Sequence, residues 1–196
     1  DIAALSAPAE RFAGRSGPLN ILVVGGSLGA QVLNDTVPQA LAQIPESERP
    51  QVIHQAGERN MPALEAAYSA AGVRGTLQPF IQDMAGAYAQ ADLVICRAGA
   101  LTVAELAAAG VASVLVPLPH AVDDHQTGNA RFLANAGAAE LMPQTALNAD
   151  SLATLIRSFD RARLLDMAQR ARALARPGAT VQVADICAAL ARGQGQ

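Results

Sequence analysis

The 196-residue chain contains no lysine and no tryptophan, and only 3% of it is aromatic. Without lysine there is no Walker loop, whose amine must reach the terminal phosphates of a nucleotide. With so few aromatics, the core has to be built from Ala, Val, Leu and Ile, a composition that suits parallel strands covered by Ala-rich helices. The two cysteines, Cys96 and Cys187, are far apart and form neither a CxxC nor a metal-ligand spacing. Cys96 ends an apolar run and reads as a buried thiol in a reducing compartment. A net charge of −3 lacks the basic footprint of a nucleic-acid binder. No run approaches the ~18–20 apolar residues of a membrane span, and no signal-peptide pattern is visible.

Six short apolar runs, at residues 19–24, 52–55, 73–77, 93–96, 112–116 and 139–142, alternate with helical patterns. From Asp150 onward the pattern is helical only, broken at Pro177-Gly178. Repeated β–α units with right-handed crossovers predict the α/β class: a Rossmann-like open parallel sheet of about six strands with helices on both faces. Residues 1–18 are Ala/Pro-rich without a clear period and are expected to be a linker leading in from a further domain. Residues 19–196 are expected to form one domain with C-terminal helices. Ligands of such sheets sit beyond the carboxyl ends of the strands, at the switch in strand order. The loops that follow the strands are therefore where a ligand is expected.

The first loop is Gly25-Gly26-Ser27-Leu28-Gly29-Ala30, a glycine turn between a β-branched strand and a helix. Its free amides and the Ser27 hydroxyl suit a phosphate. The turn also serves if glycine is needed only for its backbone angles. A dinucleotide fingerprint does not fit. Ser27 and Ala30 replace its second and third glycines, and the second strand ends in His54-Gln55 rather than in a carboxylate for ribose.

The second loop is Gly99-Ala100-Leu101-Thr102-Val103-Ala104-Glu105. Small residues and a hydroxyl at a helix start make another anion site, and Glu105 could accept from both hydroxyls of a ribose. Locally, Thr102-x-x-Glu105 reads first as a capping box. The third loop, after strand five, holds His120, Asp123, Asp124, His125, Gln126, Thr127 and Asn129, the densest polar cluster in the chain. Its amides and imidazoles suit sugar hydroxyls; alternatively Asp123 or Asp124 caps the helix and the rest is solvated. No metal cluster and no nucleophile–base arrangement is evident. The basic helical region carrying Arg157, Arg161, Arg163, Arg170, Arg172 and Arg176 reads as a solvated face, with a membrane-surface role as the alternative.

Taken together, Gly-Gly-Ser-x-Gly-Ala, Arg97-Ala-Gly-Ala-Leu-Thr-Val-Ala-Glu105, Phe80-Ile81-x-Asp83-Met84 and the run from His120 to Asn129 resemble the MurG family of bacterial N-acetylglucosaminyltransferases. The resemblance covers the chain but only the C-terminal half of those enzymes. It implies the C-terminal domain of a GT-B glycosyltransferase, which transfers GlcNAc from UDP-GlcNAc to the lipid-linked acceptor undecaprenyl-pyrophosphoryl-MurNAc-pentapeptide (lipid I), giving lipid II in peptidoglycan synthesis. By the same resemblance, Gly26, Ser27 and the segment Ala100, Leu101 and Thr102 approach the diphosphate, and Val103 and Ala104 belong to the same donor site. Ile81 faces the uracil through its backbone, and Phe80 beside it is a further donor-binding residue. Glu105 holds the ribose, and His125, Gln126 and Asn129 reach the GlcNAc. No cofactor or metal is implied, and nucleic acid is not a partner. The catalytic base and the lipid I site are expected in the missing N-terminal domain, and the whole protein at the cytoplasmic face of the inner membrane as a peripheral enzyme. The fragment itself is expected to be soluble and to bind donor without turnover. Two rivals are a donor-binding subunit of a split glycosyltransferase and part of a UDP-GlcNAc epimerase.

Overall fold

A computed structural model describes residues 2–26, 30–119 and 124–193 of the chain, without the side chains of 180 and 191–193. Six parallel strands form one sheet: β1 (Asn20–Val24), β2 (Gln51–Gln55), β3 (Thr76–Gln78), β4 (Leu93–Cys96), β5 (Ala112–Leu115) and β6 (Ala139–Leu141). Their order across the sheet is β3-β2-β1-β4-β5-β6. The strand order therefore reverses between β1 and β4, which pair in register with Val24 opposite Cys96. That is the switch point at which open α/β sheets take their ligands.

The strands read as continuous apolar runs because both faces are covered. Alternate side chains enter two cores. Ile21, Val23, Leu93 and Ile95 join Leu33 and Val37 of α2 (Gln31–Ala42), Leu64 and Tyr68 of α3 (Met61–Ala71), and Leu152 and Ile156 of α7 (Ala149–Arg157). On the other face, Leu22, Val94 and Cys96 pack with Tyr88 of α4 (Met84–Gln90), Val103 and Leu106 of α5 (Ala100–Ala109), and Leu133 of α6 (His125–Ala134). The chain ends in α8 (Arg161–Ala173) and α9 (Ala179–Gly193).

Most strand ends lie within one residue of the apolar runs, and three boundaries bear on the site. β3 starts at Thr76, not at 73. The Val73 amide is taken by the Tyr68 carbonyl at 3.2 Å, closing α3 through Gly72 in the left-handed region. α5 starts at Ala100, so Thr102 already lies inside the helix rather than at its cap. Its N-cap is Gly99, which makes no side-chain cap, so the capping-box reading of Thr102 and Glu105 fails. α6 starts at His125, with Asp124 at the cap position and φ +50°. The Asp124 carboxylate accepts from the Thr127 hydroxyl at 2.6 Å and caps no backbone amide.

The stretch read as a linker packs onto the domain over residues 2–18. A short helix, α1 (Pro8–Phe12), buries Phe12. Arg11 donates to the carbonyls of Ala109 and Gly110, and Arg172 to that of Ala108, so two guanidinium groups cap the C-terminal end of α5. The fully buried Asp92 accepts from Arg15 at 2.5 Å, Arg161 at 3.3 Å and the Asn20 amide at 2.8 Å. This ties the N-terminal stretch to β1, to the start of β4 and to α8. Of the arginines in the basic helical region, Arg161 and Arg172 are engaged in these partly buried contacts, while the others stay on a solvated face, where three of them form surface ion pairs. Arg163 pairs with Glu140, Arg170 with Asp166, and Arg157 with Glu48.

Candidate functional site

The carboxyl ends of β1 and β4 each run into a helix whose N-terminus faces the switch point. In α5 the first backbone bond is from the Val103 amide to the Gly99 carbonyl at 2.9 Å. The amides of Ala100, Leu101 and Thr102 thus have no protein acceptor among the described residues, and neither does the Thr102 hydroxyl. α2 opens in the same way, with Leu33 and Asn34 donating to Ala30 and no side-chain cap. Two uncapped helix N-termini on adjacent strands concentrate partial positive charge at one edge, and that arrangement accepts an anion. Ser27, His120 and Asp123, singled out from the sequence, lie outside the described residues.

Gly26 is exposed, with φ +79°, and it is held on both sides by one side chain. The Gly26 amide donates to Gln55 Oε1 at 3.1 Å, and Gln55 Nε2 donates to the Gly26 carbonyl at 3.1 Å and to the Pro79 carbonyl at 3.0 Å. The segment after β3 is thereby fastened to the turn after β1. In it Phe80 stands 68% exposed, while the Ile81 side chain is buried. Neither the amide nor the carbonyl of Ile81 enters a backbone hydrogen bond with a described residue, so both remain for a ligand.

Glu105 lies in the second turn of α5, half-buried, and accepts from the Tyr88 hydroxyl at 3.0 Å. Burial raises the Tyr88 pKa, and the neighbouring Cys96 and Glu105 add to that, so the phenol stays a donor at neutral pH. Leu101 projects into solvent at 82% exposure and Ala104 is also exposed, whereas Val103 turns into the core. For Ile81, therefore, only backbone atoms can meet a ligand, whereas the Val103 amide is already taken by the Gly99 carbonyl. On α6, His125 is exposed. Gln126 Oε1 accepts from the Leu118 amide at 3.0 Å, and Asn129 Nδ2 donates to the Ala98 carbonyl at 3.0 Å. These two bonds dock α6 against the loops after β5 and β4. They leave the Gln126 amide nitrogen and the Asn129 amide oxygen without partners among the described residues.

A cavity of about 760 Å³ opens between α5, α6 and the segment joining α8 to α9. It takes in Ala100, Leu101, Val103, Ala104, Glu105 and Asn129, but not Gly26, Ile81, His125 or Gln126. The predicted residues therefore fall into two groups, one flanking this cavity and one along the sheet edge, with α5 common to both. Arg97 donates to the carbonyls of Val116 and Pro117 and to Gln144, which makes it a staple of the loop after β5. Cys96 is fully enclosed and burial pushes its thiol up to about 12, so it is inert. Among the described residues, no three His, Cys, Asp or Glu side chains gather as a metal cluster.

Sequence reasoning missed two contributors, Gln55 and Tyr88. Gln55 had only counted against a dinucleotide site, and Tyr88 is one apolar-face residue among several. Their roles depend on partners 29 and 17 residues away.

The fold and its switch-point edge define a Rossmann-like domain of the GT-B glycosyltransferase class. The chain belongs to glycosyltransferase family 28, whose C-terminal domain matches residues 20–187. It is 71% identical over 99% of its length to the UDP-N-acetylglucosamine--N-acetylmuramyl-(pentapeptide) pyrophosphoryl-undecaprenol N-acetylglucosamine transferase of Azoarcus sp. (strain BH72), covering 54% of that protein. Its counterpart of the same name in Dechloromonas aromatica is 64% identical over 98% of the chain. The crystal structure of Acinetobacter baumannii MurG superposes with a TM-score of 0.87 at 48% identity, over 94% of this chain and 54% of that one. The chain spans about half the length of the curated relatives it matches. The sucrose-phosphate synthase of Thermosynechococcus elongatus, at 20% identity and a TM-score of 0.67, shares the fold.

Proposed function

We propose that the chain is the donor-binding half of an enzyme that transfers GlcNAc from UDP-GlcNAc to undecaprenyl-pyrophosphoryl-MurNAc-pentapeptide. The observation that carries this reading is 71% identity, over 99% of the chain, to a relative bearing that name. In this reading the diphosphate lies across the N-termini of α2 and α5, near Gly26, Ser27 and the amides of Ala100, Leu101 and Thr102. Their fixed dipoles stabilise negative charge both in the bound donor and on the departing UDP, without reorganising as the bond breaks. The free amide and carbonyl of Ile81 suit the edge of uracil, with Phe80 beside it. Glu105, steadied by Tyr88, takes the ribose hydroxyls, and His125, Gln126 and Asn129 face the sugar. Holding the anomeric carbon in line for the acceptor hydroxyl is the other task of this half.

The base that deprotonates that hydroxyl, and the grip on the lipid-linked acceptor, belong in this reading to a preceding domain joined through residues 1–18. An undecaprenyl acceptor brings the whole enzyme to a membrane surface. No helix among the described residues is long and apolar enough to cross one. Isothermal titration of the chain with UDP-GlcNAc, UDP and the thymidine and adenosine diphosphates tests the proposal. Saturable UDP-GlcNAc binding with a clear preference for uridine is expected. Absence of binding, or equal affinity for all nucleotides, overturns it.

A further inference from the structure

We infer that Gln55 is a positioning residue, a strut that fixes the spacing between the two ends of the nucleotide site. The inference rests on the proposed donor site but concerns a residue that contacts no ligand in it. Gln55 ends β2 with its side chain buried, at 4% exposure. There it spans two loops that no strand pairing joins: β2 separates β1 from β3 in the sheet, so the segments after β1 and β3 have no ladder between them. The gap is bridged by three hydrogen bonds from a single amide, two to Gly26 and one to Pro79.

The geometry demands an amide. Oε1 accepts from the Gly26 amide while the two hydrogens of Nε2 go to two carbonyls, so every bond uses a different capacity of the group. A carboxylate would accept at one point and oppose two carbonyl oxygens. A leucine would fill the volume and make none of the bonds. Gly26 is the residue most in need of restraint. Its φ of +79° is open to glycine in many alternative turns, and no other side chain among the described residues holds it. Backbone bonds fasten each loop to β2 or its following loop, from the Gly25 amide to the Gln55 carbonyl at 3.0 Å and from the Gly57 amide to the Pro79 carbonyl at 3.1 Å. The Gln55 side chain adds the direct link between Gly26 and Pro79 that sets the turn after β1 relative to Phe80 and Ile81.

The consequence is specific. A ligand touching only one loop needs only that loop, whereas a nucleoside diphosphate spans both and gains from their prior alignment, as two linked contacts gain from effective concentration. Losing the strut should weaken the linked ligand and spare its parts.

The test compares the 196-residue chain with Gln55→Leu and Gln55→Glu. UDP affinity is read by isothermal titration, uridine and inorganic pyrophosphate affinities by ligand-observed NMR, and melting by calorimetry, with all binding measured well below the transition. The expected result is a UDP Kd raised tenfold or more in both variants, with uridine and pyrophosphate each within about twofold of the parent. If a folded variant binds UDP as the parent does, or loses UDP and uridine by the same factor, the strut is refuted. Should Gln55→Leu not fold, Gln55→Glu, which keeps an acceptor for the Gly26 amide, decides by the same comparison. A parent chain that binds no UDP refutes the donor-site reading instead. In that case faster hydrogen exchange at the Gly26 amide in the variants still reports on the strut, and unchanged exchange refutes it.

Discussion

Replacing Tyr88 by phenylalanine removes one hydroxyl and nothing else from a side chain that is 1% exposed. The lost bond is the 3.0 Å donation to Glu105 Oε2. A hydrogen bond to a charged group contributes about 1.5–3 kcal/mol when its loss strands the charge. Glu105 is only half-buried, so water can replace the phenol, and the stability loss should fall to about 1 kcal/mol. Binding is affected through a different route. Tyr88 holds the carboxylate in one rotamer before any ligand arrives. Without it, ordering a free glutamate on binding costs on the order of 1–1.5 kcal/mol. At 1.4 kcal/mol per tenfold in affinity, that is a rise of about 5- to 10-fold in the Kd for UDP. Isothermal titration with UDP and with its 2′,3′-dideoxy analogue separates the two routes. If Glu105 meets the ribose hydroxyls, Tyr88→Phe weakens UDP and leaves the analogue unchanged, and it adds nothing further in a Glu105→Ala background. An equal loss for both ligands would show that Tyr88 acts on the fold alone and would refute the reasoning.

Asp92→Ala leaves the guanidinium groups of Arg15 and Arg161 and the Asn20 amide facing an empty buried site. Urea unfolding should show a loss of about 3–5 kcal/mol, and a loss below 1 kcal/mol would mean that the cluster is hydrated. His54 is fully buried between Tyr68 and Asn34, each at 3.1 Å, and burial lowers its pKa from 6.5 to about 4. The unfolded chain therefore takes up this proton first. Its contribution is complete above pH 6.5 and is lost as the pH falls toward 4, by about 3 kcal/mol in total. Urea midpoints should drop more steeply over that window in the parent than in His54→Gln, and parallel curves would count against a neutral His54.

Asn34, His54 and Tyr68 also show why parts of the architecture were hidden in the chain. Each reads by itself as one polar or aromatic residue on an apolar face, yet together they join α2, β2 and α3 through one imidazole. The same holds for Asp92, which looks like a turn residue before an apolar run and proves to be the fully buried acceptor of two arginines. Residues 2–18 looked like a linker because their composition lacks a period. They are anchored by Arg11 and Arg15, whose partners lie more than 70 positions away.

What the sequence determined by itself was local in origin. The alternation of apolar runs and helical patterns specified six strands and the α/β class, because both periods are set by residues within a few positions of one another. The glycine turn, the small-residue helix start and the polar run after strand five marked the loops that matter, through backbone freedom and hydrogen-bonding capacity. Tertiary structure decided what those loops are to each other. It placed the reversal of strand order between β1 and β4, began α5 at Ala100 so that Glu105 was released from a capping role, and turned Val103 and Ile81 inward. It also brought Gln55 to Gly26 and Pro79, and Tyr88 to Glu105. Those contacts join residues distant along the chain, and they exist only because the sheet closes in one order and buries them together.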